Sequence, residues 1–398
     1  MRALLVLLAA ALCPACVFAQ AQKARPSKSP GEPQMVVRLD GTRLKPAEVD
    51  GIVQRLMAKA HVTGLALAIL NHSEIVYLKA FGLRSVERNE PLTTGSVMYG
   101  ASLTKAAFAY MVMQLVDEKA IDLDKPVTEY LAKPLPSYPK YADLASDERY
   151  KQITARMLLS HTAGFPNFRF LNDDGKLDIK FTPGTRYAYS GEGINLLGFL
   201  VEQVTGRSVT DLMRERVFDR FGMKRTSMVW EARFASDYAD GYDAQGKLIA
   251  HSRRKLPRAA GSMDTTVTDY AKFLRALLKG EGISANSREQ MFSSQIRIHS
   301  KRQFPTLAPE TTTENDAIQL SYGLGWGLFW SPLGKAFFKE GHDEGTENHA
   351  VCFDRRKTCL LVLTNSSNGD SIFKDLFESV LAERSTPWNW EGYIPFSR

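Results

Sequence analysis

Apolar residues recur at helical spacing from position 46 to 60, where Val49, Ile52, Leu56 and Met57 would share one face. Two strands are predicted over 64–70 and 75–80, joined by a polar turn at Asn71-His72-Ser73-Glu74. The run 106–116 is almost wholly apolar and reads as a helix buried on every side. Shorter helices are predicted over 126–131 and 153–159, and longer ones over 193–205, ended by Gly206, and over 209–221. A further helix over 266–278 opens with Thr266 and Asp269 at capping-box spacing. Strands return at 323–330, 335–340, 350–353 and 358–363, and a helix over 371–382 follows. Early strands, a helical middle and late strands imply an α/β (α+β) fold with one mostly antiparallel sheet built from both chain ends. Helices 46–60 and 371–382 would cover one face. A helix-rich lobe over about 110–260 would make the other wall of a cleft.

The first residues change the picture of where this fold works. Arg2, an apolar run over 3–12 and Val17-Phe18-Ala19 have the form of a signal peptide spanning 1–19, which predicts a periplasmic or secreted protein. Cys16 offers lipidation as the weaker alternative, because Cys13 stands where an aliphatic residue is expected. Residues 20–44, rich in Pro, Ser and Lys, read as a flexible lead-in; 45–386 form the main domain and 387–398 a tail. Trp388 and Trp390 in that tail are expected to pack back on the body. No later stretch is long and apolar enough for a transmembrane span. Cys352 and Cys359 flank a polar turn, and centring a hairpin between Arg355 and Arg356 sets them opposite each other. Either a cross-strand disulfide or two buried thiols would satisfy that placement. The formal charge of +7 comes without a zinc finger, recognition helix or aromatic–basic interleaving, so nucleic acid is not an expected partner.

Candidate chemistry begins at Ser102-Leu103-Thr104-Lys105, a hydroxyl and an amine one helical turn apart. A serine hydroxyl needs such a neighbouring base to become a nucleophile. Tyr189, in the loop before the 193–205 helix, can aim a phenolic oxygen into the cleft, although its residue type alone favours packing. His342, between Gly341 and Asp343, could bind a carboxylate or assist a leaving group. His161, next to Ser160, reads as structural. His342 and His349 lack the helical His-Glu-x-x-His arrangement of a metal site, and no metal or cofactor is expected.

Ser102-Leu103-Thr104-Lys105, Tyr189-Ser190-Gly191 and Gly341-His342 follow one another in an order that resembles the serine beta-lactamase and penicillin-binding superfamily. The class C beta-lactamase-like branch, with its D-Ala-D-Ala carboxypeptidases, D-aminopeptidases and secreted esterases, is the nearest in pattern. Residues 158–164, 181–184, Gly222-Met223, Ala260-Gly261-Ser262-Met263, 322–326 and Leu363-Thr364-Asn365 add to the resemblance, which covers roughly 45–382. It implies that Ser102 is the acylated nucleophile, with Lys105 as its base and Tyr189 in proton transfer. His342 would fill the third-motif position, and the N–H groups of Ser102 and Gly345 would form the oxyanion hole.

Two departures bear on substrate. Gly191 stands where the second motif has asparagine, and Asp343 and Glu344 follow His342 where a hydroxyl residue and glycine are usual. Both weigh against efficient beta-lactamase or carboxypeptidase action, with the polar insertion 295–320 the place to look for replacement groups. The implied activity is an exported serine hydrolase acting on a small ester or amide, including peptides of cell-wall origin. The alternatives are a peptidase or beta-lactamase, and a non-catalytic cell-envelope binding protein.

Overall fold

The computed structural model describes residues 34–396. The expected signal peptide and the first part of the lead-in lie outside the described residues. Nine strands form one antiparallel sheet: β1 (Gly64–Asn71), β2 (Glu74–Ser85), β3 (Glu90–Pro91), β4 (Ile296–Arg297), β5 (Ser321–Tyr322), β6 (Gly327–Ser331), β7 (Gly334–Asp343), β8 (Thr346–Phe353) and β9 (Thr358–Thr364). Their spatial order is β4-β5-β6-β7-β8-β9-β1-β2-β3, so β1 and β9, from opposite ends of the chain, lie side by side.

The period-two alternation of side chains divides the core in two. Leu65, Leu67 and Ile69 of β1, with Leu360 and Val362 of β9, meet helices α1 (Pro46–Ala60) and α5 (Phe373–Leu381) on one face. Ala66, Ala68 and Leu70, with Leu361 and Leu363, face the helical lobe. That lobe is built on α2 (Leu103–Asp117), α3 (Gly191–Thr205) and α4 (Val267–Lys279). Both faces of β1 are covered, which explains its uninterrupted apolar sequence. Thr266 caps α4 by accepting from the Asp269 N–H at 3.0 Å. Among the described residues no helix is long and apolar enough to cross a membrane.

Two elements differ from the sequence reading. The strand expected over 323–330 begins only at Gly327, as β6, because Gly325 takes φ +84° where the chain touches α2. A Cβ there would lie 2.4 Å from that of Ala109. Part of the expected flexible lead-in is ordered: Val36–Val37 pairs with Arg43–Leu44, and Asn71 bonds both backbone groups of Val37. The tail packs on the body as expected, through a short helix, Trp388–Glu391, that buries both tryptophans and sets Glu391 2.9 Å from His349.

Hairpin β8–β9 places Cys352 opposite Cys359 with Cα atoms 4.1 Å apart and the sulfurs bonded. That spacing marks a non-hydrogen-bonded pair of the ladder.

Candidate active site

Ser102 sits on a turn held from several sides. Met98–Tyr99 pairs with Asp264–Thr265, the Gly100 N–H donates to the Met263 carbonyl at 2.8 Å, and Asn348 Nδ2 donates to the Tyr99 carbonyl at 2.9 Å. Ala101, at φ +45°, turns the chain sharply into α2. Lys105 then comes round on the same helix face, with Nζ 2.9 Å from Ser102 Oγ and donating to the Ala260 carbonyl at 2.6 Å. Burial, with the charge of Lys339 adding to it, holds the Lys105 amine well below its usual range. A neutral amine is the form that can take a proton from serine.

Tyr189 packs over the same groups, its ring centroid 4.9 Å from Lys105 Nζ. Burial pushes its phenol up to about 12, with Lys339 and the Ser102 hydroxyl opposing that rise. His161 lies beneath it at 4.4 Å between ring centroids and accepts the Ser190 N–H on Nδ1. Burial holds this imidazole well below the usual histidine range, so it stays neutral and supports the tyrosine loop from below. The structural reading of His161 agrees with that placement.

The third motif requires a correction. Lys339, three residues before His342, reaches Tyr189, with Nζ 3.1 Å from the phenolic oxygen. Gly341 lies against the Ser102 turn: a Cβ on it would come within 3.2 Å of the Ser102 nitrogen and 2.8 Å of the Gly100 carbonyl oxygen. Lys339-Glu340-Gly341 is therefore the stretch beside Ser102. His342 instead directs Nδ1 to Glu347. Burial would lower its pKa, but the Glu347 carboxylate outweighs this and carries it up to about 9.

Gly345, expected as an oxyanion donor, belongs to the β7–β8 turn, and its N–H donates to Ser367 Oγ at 2.8 Å. Strand geometry supplies another amide. Hydrogen-bonded and non-hydrogen-bonded pairs alternate along an antiparallel ladder. Starting from Cys352–Cys359, alternation makes His342–Glu347 a non-hydrogen-bonded pair. The His342 N–H thus points away from β8, to the side of β7 that β6 leaves open beyond Phe338.

Glu340 occupies the middle of the stretch. Its carboxylate accepts from Lys339 Nζ at 2.7 Å and from Gln303 Nε2 at 2.8 Å, both within the interior. Burial alone would raise its pKa, but Lys339 holds it far below the usual carboxylate range. The insertion 295–320 also supplies Phe304, whose ring lies 5.5 Å from that of Tyr189. At Gly191, where a side-chain amide was missing, Asn167 Oδ1 accepts the backbone N–H at 3.0 Å. A Cβ at 191 would lie 2.5 Å from the Phe168 ring. Lys339, Asn167 and Phe168 went unread in the sequence. A lysine two residues before a glycine late in the chain was the available signal for the first; nothing local marks the other two.

These groups surround a cavity of about 240 Å³ that contains Ser102, Lys105, Tyr189, Arg258, Phe304 and His342 among its lining. Comparison with known proteins places the chain. Residues 49–383 match the Beta-lactamase family. Penicillin-binding protein 4 of Amycolatopsis lactamdurans is 27% identical over 352 residues, covering 82% of this chain and 87% of that protein. Esterase EstB of Burkholderia gladioli is 27% identical over 244 residues, covering 54% and 60% respectively. The octameric penicillin-binding protein homologue from Pyrococcus abyssi shares the fold, with a TM-score of 0.68 at 24% identity over 86% of this chain and 79% of that one. A serine and a lysine on the first turn of a buried helix, faced by a tyrosine and the edge of an antiparallel sheet, thus sit within a match that spans most of the chain, and the protein belongs to the beta-lactamase family of serine hydrolases.

Proposed function

We propose that this protein hydrolyses an ester or amide through an acyl-enzyme on Ser102. The observation that carries the reading is a buried lysine amine, its pKa held well below the usual range by burial, 2.9 Å from the serine oxygen. As Ser102 Oγ bonds the substrate carbonyl carbon, its proton passes to Lys105. The N–H groups of Ser102 and His342 stabilise the resulting oxyanion, one such donor contributing about 3 kcal/mol. Tyr189, linked to Lys339, passes a proton to the leaving alcohol or amine as the carbon–heteroatom bond breaks. Water then attacks the acyl carbon by the reverse relay, releasing the acid and restoring the serine hydroxyl.

Within the family, esterase action is favoured over carboxypeptidase or beta-lactamase action. A substrate carboxylate gains little from Lys339, whose charge Glu340 already compensates. The class C-like branch and an exported location are part of the same proposal, supported by motif order and by residues 1–19. Steady-state hydrolysis of simple esters tests it. Ser102→Ala should remove turnover, and Tyr189→Phe should lower kcat by about 10²–10⁴-fold. Full turnover by the Ser102→Ala protein would refute the mechanism. Acylation by penicillin faster than by esters would favour the beta-lactam or peptidase reading instead.

A further inference from the structure

The ionic groups around Ser102 are largely matched in sign. Lys105 is held towards its neutral form, Lys339 is paired with Glu340, and His342 with Glu347. Arg258 and Asp343, of opposite sign, complete the charged lining. Such a cavity has no surplus charge to demand an ionic substrate.

Aromatic rings supply what is left. Phe168 and Phe170 stack at 5.3 Å with planes 8° apart, and Phe304 adds a ring from a distant segment of the chain. Phe170 is 69% exposed and Phe304 40%, a costly display of apolar surface beside a nucleophile unless something covers it. The glycine at 191 belongs to the same device, because the Phe168 ring fills the space that any side chain there would need. The place of a polar side chain has gone to an aromatic wall.

We propose that the site selects esters or amides bearing a planar apolar group, aromatic by preference, which lies against Phe168, Phe170 and Phe304 while its carbonyl reaches Ser102. This rests on the hydrolase reading and adds the substrate class. Flat rings stacking on such walls give orientation as well as burial.

Initial rates for ethyl phenylacetate, benzyl acetate and ethyl butyrate, with the wild type and the Phe170→Ala, Phe304→Ala and Ser102→Ala variants, test it. At least one of the two ring-bearing esters should exceed ethyl butyrate about tenfold in kcat/KM. Each phenylalanine variant should shrink that ratio several-fold, mainly through KM. Equal kcat/KM for all three esters, or a preference that both phenylalanine variants retain, would overturn the inference while leaving the hydrolase reading intact. Absence of any Ser102-dependent turnover would instead remove the hydrolase reading and this inference with it.

Discussion

In the proposed mechanism Lys105 has two tasks that conflict in water. It must be basic enough to take the serine proton and yet unprotonated at neutral pH. Burial in the lobe, beside the Lys339 cation, resolves the conflict by disfavouring the charged form. The sign of the pH dependence follows: protonation on acidification removes the base. The kcat/KM profile should therefore fall on the acid side, with an apparent pKa well below the usual lysine value of 10.5. A profile that kept rising to pH 10 would contradict that assignment. Gly341 is a second constraint at this scale. Gly341→Ala brings a methyl group onto the Ser102 amide and the Gly100 carbonyl, and a shift of ~1 Å in the nucleophile can cost about 10²-fold in rate. The expected result is a large loss of kcat in a protein whose circular dichroism is unchanged. Glu340→Gln acts on stability: it strands Lys339 in the interior, at a cost of ~3–5 kcal/mol. Thermal unfolding of the variant measures this.

Strand β7 carries the principal lesson about elements. Its sequence pattern predicted a strand over 335–340, and the structure extends it to Asp343, so that Lys339, Gly341 and His342 all lie on one extended run. Matching the motif at His342 chose the wrong register, because the short pattern permits either a lysine or a histidine. Only the neighbours decide between them: Tyr189 receives Lys339, and Glu347 receives His342. Helical spacing marked Ser102 and Lys105, whereas Tyr189, whose residue type alone favoured packing, was singled out by the resemblance; the structure brings the three together. Gly345 was misassigned with His342, since one residue followed from the other. The β8–β9 hairpin was legible down to the facing cysteines, because a polar turn between apolar runs fixes register. Its disulfide closes a short loop, and replacing both cysteines with serine should lower stability by about 2–3 kcal/mol. Denaturant unfolding under matched conditions reads that loss.

For the whole molecule, the two-faced core explains why widely separated segments meet at one cleft. Joining β1 to β9 fixes the sheet, one face is sealed by α1 and α5, and the other receives the helical lobe. The active site lies where α2 enters the lobe beside the free edge of β7. Alternating and helical periodicity revealed this architecture, since burial on two faces leaves a repeated mark along the chain. Contacts made by loops leave none. Asn167, Phe168 and Phe304 reach the site through turns with no period, and their chemistry emerged only once the chain was folded. The breadth of the family match establishes the general class of hydrolase, and the proposed selectivity rests on the loops.

The most direct measurement is intact-mass analysis of the folded protein after reaction with a fluorophosphonate, followed by peptide mapping, with Ser102→Ala alongside. A single adduct is expected, located on Ser102 and absent from the variant. A folded wild type that forms no adduct, or an adduct on another residue that persists in Ser102→Ala, would contradict it.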